Sequence, residues 1–203
     1  MKKNPIIVLF AVVILTLTFS GCIETPSETK PVETEKEEPV IEIPDPSIVD
    51  VTVKIINDGE KNDWHWLYNK NGGYIAQSFT PTETFVLTSF EVYLKVTEKA
   101  DLIIQLQHTT SGKPNGQIIN YRVIDSSDLI NGWNTANFDS IVLKEDVTYA
   151  FVIGMPEMNN IGPVRVYSNN DFNSGQGFYG DSLTNTIWYN QNDEDYLFKI
   201  WGY

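Results

Sequence analysis

The chain has 203 residues and a formal net charge of −13, with 41% hydrophobic and 12% aromatic residues. That composition suits a folded globular unit rather than a disordered one, and the lack of a basic stripe beyond the first few residues excludes a nucleic-acid partner. A single cysteine leaves no internal disulfide, so the folded part must draw its stability from its core.

Lys2 and Lys3 open a short basic region, and residues 5–19 form an apolar run. That run is shorter than the roughly 20 residues a membrane span needs, and it matches the hydrophobic part of a secretory signal. It closes on Leu17-Thr18-Phe19-Ser20-Gly21-Cys22, where two small residues precede the cysteine. The hexapeptide resembles a lipobox of prokaryotic lipoproteins, with Phe19 where leucine is usual. The resemblance implies a signal peptide over residues 1–21 and lipid attachment at Cys22, since two hydrocarbon chains suffice for stable anchoring. An uncleaved helical anchor is the alternative, and either arrangement places the rest of the chain outside the membrane, in an extracytoplasmic position.

Residues 22–47 hold eight acidic residues against two lysines, with prolines at 26, 31, 39, 44 and 46. Such a segment cannot bury enough apolar surface to offset its ordering entropy. Its prolines and like charges keep it extended, so that it reaches on the order of 70 Å from the membrane. It is expected to act as a spacer.

From about residue 48 the pattern changes to short alternating runs without a helical period. Residues 48–56 alternate; Phe90, Val92, Leu94 and Val96 share one face of 85–96, with Glu91, Tyr93 and Lys95 on the other. Leu102, Ile104 and Leu106 oppose Ile103, Gln105 and Gln107, and further runs cover 117–124, 133–138, 148–153, 164–167, 186–189 and 196–201. Turn signals stand at 57–59, 71–73, 113–116 and 131–132. Nine or more short strands at this spacing predict one all-β domain over 48–203, an antiparallel β-sandwich of jelly-roll type, expected to be monomeric. Ala76 to Pro81, Leu87 to Leu94, Gly112 to Gly116, Gly132-Trp133 and Leu143 through Tyr149 to Val152 follow one another in an order that resembles jelly-roll modules appended to bacterial and archaeal surface proteins. The resemblance covers about residues 74–201. It implies a shape similar to carbohydrate-binding modules and carries no catalytic residues.

The search for chemistry points to binding rather than catalysis. His65 and His108 stand far apart, and no His-Glu-x-x-His, Gly-x-Ser-x-Gly or phosphate-binding glycine loop occurs, so no enzyme is expected. Aromatic residues give a stronger lead. Trp64 and Trp66 lie on one side of an extended segment, followed by Tyr68 and flanked by Asp63, His65 and Asn69. Arg165 and Tyr167 share a face, and Trp188 and Tyr189 sit among Asn185, Asn190, Gln191 and Asn192. Aromatic walls with a few polar groups are what a small-ligand site requires, and a carbohydrate or glycan is the expected ligand. Sandwich core or strand cover explains each ring equally simply, because aromatic residues favour strands. Under that second reading the domain is a structural or protein-interaction module of the cell envelope, recognised by a free edge strand or an exposed apolar patch. A third candidate is calcium: Asp171 and Asn173 space oxygen ligands two residues apart in a glycine-rich loop, with Asp181 beyond. The segments 193–195 and 57–63 share this character more loosely, and an ordinary solvated loop is the alternative for each.

Overall fold

The computed structural model describes residues 50–61, 63–67, 73–156, 164–169, 172–180, 183, 187–191 and 194–203. The expectations for the signal peptide, Cys22 and the linker concern residues outside these. The thirteen strands are β1 (Thr52–Asn57), β2 (Asp63–Leu67), β3 (Tyr74–Phe79), β4 (Phe85–Val96), β5 (Leu102–Thr110), β6 (Lys113–Ile124), β7 (Gly132–Leu143), β8 (Tyr149–Gly154), β9 (Val164–Asn169), β10 (Gly177–Gly180), β11 (Trp188–Asn190), β12 (Asp195–Tyr196) and β13 (Phe198–Gly202). The described residues contain no helix, and accordingly none long and apolar enough to cross a membrane.

Two antiparallel sheets face one another. The first runs β1-β13-β4-β9-β12, with β7 on the other side of β4 and β2 on β9; the second runs β11-β10-β3-β8-β5-β6. Eight of these strands form nested antiparallel pairs: β1 with β13, β3 with β8, β4 with β7 and β5 with β6. Nested pairing of this kind is a long hairpin rolled on itself, the jelly-roll connectivity expected from the alternating runs. The other strands are additions: β2, β9 and β12 widen the first sheet, and β10 and β11 extend the second beyond β3.

Period-two alternation decides which side chains meet between the sheets. Phe90, Val92 and Leu94 of β4, Ile104 and Leu106 of β5, and Phe198 and Ile200 of β13 are all buried in one cluster. At its centre Phe90 stacks on Phe151 at 3.8 Å between ring centroids, and Phe151 also contacts Phe79 and Phe138. A reciprocal pair of buried amides, Asn57 and Asn169, exchanges two hydrogen bonds of 2.9 Å, and Asn57 Nδ2 donates a third to the Tyr196 carbonyl. Those bonds satisfy polar groups that would be costly to bury alone.

Residues 113–116 do not form the turn that their composition suggests. The chain reverses one step earlier, at Ser111 and Gly112, both at positive φ (52° and 78°), as a two-residue hairpin loop prefers. Lys113 to Gly116 then run as strand with register shifts against β5. Pro114 is tolerated because β6 is an edge strand among the described residues, where a missing N–H costs no ladder bond.

Candidate functional site

The outward face of the first sheet carries a row of aromatic rings. On β4 the inward set of Phe90, Val92 and Leu94 forces Glu91, Tyr93 and Lys95 outward. Tyr93 is paired in register with Trp133 of β7, and the rings meet edge to face at 5.3 Å. On its other side Tyr93 meets Tyr167 of β9 at 5.6 Å, again edge to face. Tyr167 is the register partner of Trp64 on β2, and Trp64 contacts Trp66 at 5.2 Å. Five rings thus cross four strands on one face, all only partly buried, with Trp64 37% exposed.

Cations are interleaved with the rings. The Arg165 guanidinium lies 3.9 Å from the Trp64 ring centroid and 3.7 Å from that of Trp66. The Lys61 ammonium stands 3.8 Å over Tyr93, and that of Lys199 stands 4.3 Å over Trp133. Each such contact contributes roughly 0.5–2 kcal/mol, more as it is desolvated. A pocket of about 490 Å³ opens at the Trp133 end of the row, lined by Asp58, Gly59, Glu60, Lys61, Tyr93, Trp133 and Leu197. On the far side of Trp133 a second pocket of about 550 Å³ follows the outer edge of β7 toward Arg122 and Asp139.

Among the described residues the widening strand β2 pairs only with β9, so its position needs another anchor. Leu67 sits in the core and His65 faces inward opposite Val166. The His65 Nε2 is 2.5 Å from Glu194 Oε2, which also accepts from Gln191 Nε2 (3.0 Å) and Ser168 Oγ (3.4 Å). His65 therefore ties β2 to the 191–194 segment, and that tie presents Trp64 and Trp66 on the outer side. Next to it Asp195 accepts from Gln77 Nε2 at 2.8 Å, while Gln77 Oε1 accepts from the Tyr196 amide. Burial raises the Asp195 carboxyl above its ordinary range, partly offset by Gln77 and the Gly177 backbone. Burial, together with the Glu194 and Asp195 charges, pushes the Tyr196 phenol well up.

Trp64, Trp66, Arg165 and Tyr167 are thus brought together as one surface. Trp188 and Tyr189 are not part of it, since β11 belongs to the second sheet. Trp188 is 4% exposed and packs with Ala76, Val152 and Phe178 in a satellite cluster, so it serves as core instead of a platform. Tyr189 is 51% exposed and stacks on Tyr179 at 5.1 Å. Asn173 lines a small pocket with Gln176, Gln191, Glu194 and Asp195. Asp171 and Asp181 lie outside the described residues, as do Tyr68, Asn69, Asn185, Asn192 and Asp193. Among the described residues no group of three or more His, Cys, Asp or Glu side chains is placed to hold a metal ion. His108 is exposed on β5 beside Tyr149, with no ion pair among the described residues.

Sequence reasoning missed Tyr93, Trp133, Lys61 and Lys199 as members of this surface. Alternation points Tyr93 outward, but only sheet order shows that β4 lies between β7 and β9.

No protein-family model matches the chain, and no curated protein matches it. Among solved structures it is similar to the cysteine protease and lectin-like domains of a surface layer associated protein of Clostridium difficile. The identity is 10% and the TM-score 0.45, over 63% of this chain and 32% of that one. The chain spans about a third of the length of that neighbour.

Proposed function

We propose that this protein is an extracytoplasmic lipoprotein whose β-sandwich binds glycans on the outward face of its first sheet. The observation that carries the reading is the row Trp133-Tyr93-Tyr167-Trp64-Trp66, five partly exposed rings on one side of four paired strands. Rings left half-open on a sheet face lose the burial that would justify them as core, and an apolar ligand face restores it. Pyranose rings supply such faces, while Lys61, Lys95, Lys199 and Glu91 supply donors and acceptors for hydroxyls around them. The lipobox-like hexapeptide ending at Cys22 supports anchoring to the membrane, and the acidic spacer supports display at a distance from it.

The test is a glycan-array screen of the full chain in detergent, repeated with Tyr93→Ala and Trp66→Ala. A specific hit lost in both folded variants supports the reading, and a blank from well-folded protein removes it. A second reading rests on a different observation. The edge strand β6 exposes Ile118, Tyr121 and Val123, with Ile130 just beyond, and free edges of this kind recruit other strands. A blank array transfers the assignment to an interaction module of the cell envelope.

A further inference from the structure

The two ends of the aromatic row differ in how their cations are neutralised. At one end the Lys199 ammonium has Asp58 at 3.8 Å. At the other, Arg165 of β9 and Lys95 of β4 are register partners on the same outward face, about 5 Å apart at Cα. Neither has a carboxylate partner among the described residues. Among the described residues the Arg165 Nε is buried without a hydrogen-bond acceptor, and its guanidinium lies against the two indoles. Glu91, the outward acid of β4, stands four residues from Lys95 and meets Thr135 instead.

Each of these features costs stability in the free protein. Like charges directly opposite across two strands repel, and a buried donor without an acceptor forfeits its hydration. Their coincidence at one point of an otherwise acidic chain marks a place where local rules are broken together. An anion placed beside Arg165 and Lys95 relieves the repulsion between them. A guanidinium gripped between two rings is pre-oriented, so little freedom is lost when its fork meets two oxygens.

Building on the glycan-binding reading, we propose that the ligand is an acidic glycan whose anionic group sits on Arg165 and Lys95. Its neighbouring sugar rings then lie along Tyr167, Tyr93 and Trp133. The shared chemistry is an oxyanion with two oxygens facing the fork, as a uronic acid carboxylate or a sulfate ester provides.

The experiment titrates the full chain in detergent with an oligogalacturonate, with its methyl ester, and with a sulfated galactan oligomer of equal length. The methyl ester keeps the ring and removes the charge. At least one acidic oligomer is expected to bind tenfold or more tightly than the ester. Lys95→Gln, at an exposed position where the fold is not at risk, is expected to cut that preference several-fold. Arg165→Lys keeps the charge but not the fork, and is expected to cut it tenfold. Equal binding of ester and acids overturns the acidic assignment alone, as does a preference that survives both variants. If no oligomer binds and the array is blank, both readings fall. Which acidic oligomer wins tells carboxylate from sulfate.

Discussion

Truncating Phe90 and Tyr93 separately tests the assignment of faces on β4, on which the whole site depends. Three positions apart on one strand, they must point to opposite sides. Phe90 is fully buried, stacked on Phe151 at 3.8 Å and within 6.0 Å of Phe198. Removing such a ring costs about 3–5 kcal/mol, transfer and cavity together. In a domain of this size that lowers Tm by roughly 6–20 °C. Tyr93 loses two edge-to-face contacts and the Lys61 ammonium, but water fills its place on an open face. Its truncation is expected to cost about 1–2 kcal/mol, or roughly 2–8 °C. Thermal unfolding of the full chain followed by far-ultraviolet circular dichroism measures both. If Tyr93→Ala costs as much as Phe90→Ala, the faces are inverted and the aromatic row is interior.

The other predictions concern the parts around the site. Because burial raises the Asp195 carboxyl above its ordinary 3.8, the folded state holds that proton more tightly than the unfolded chain. The associated stability is complete below the ordinary value and is lost as pH rises through the raised one. Asp195→Asn keeps an oxygen for Gln77 and escapes this loss, so its Tm relative to wild type should climb as pH rises from 4 toward neutrality. A difference that stays flat with pH would remove burial as the cause. A Cβ at Gly180 would meet Trp188 Cε3 at 2.7 Å and Cζ3 at 2.8 Å, so Gly180→Ala should destabilise by about 1–3 kcal/mol. A variant as stable as wild type in urea would show that Trp188 is not packed there. Cys22→Ser should abolish membrane fractionation of the mature chain, and a variant that is still processed and retained in the membrane pellet argues against lipid attachment.

The roll was legible because alternation is strong where one face is buried: β4 occupies the 85–96 run, and Leu102, Ile104 and Leu106 point inward as their spacing implies. Alternation misled on the other side of β5. Gln105 and Gln107 look solvent-facing in sequence, yet both are buried, with Gln107 Nε2 donating to the Leu183 carbonyl. A sheet face covered by a distant segment leaves no local trace. The same limit explains the site. Trp64, Trp66, Arg165 and Tyr167 could be grouped by two short periodicities, whereas Trp133 and Lys199 enter only through pairings with β4. Trp188 carried the same sequence signal as Trp66, and only the packing of Phe178 and Ala76 around it separates core from surface.

The row also shows which strands supply its rings. The eight rolled strands alone would place Tyr93 and Trp133 on an open face as an isolated pair. The inserted β2 and β9 add Trp64, Trp66, Tyr167 and Arg165, so three of the five rings and the unpaired guanidinium come from insertions. Besides the core packing of Leu67, Val164 and Val166, these insertions are held by polar links: Asn57 with Asn169, and His65 with Glu194. Such links require every partner to be satisfied, which makes them poor sources of net stability but good sources of a single geometry. A surface that must hold five rings in line needs geometry more than it needs stability, and the core formed by Phe90 and Phe151 already supplies the latter.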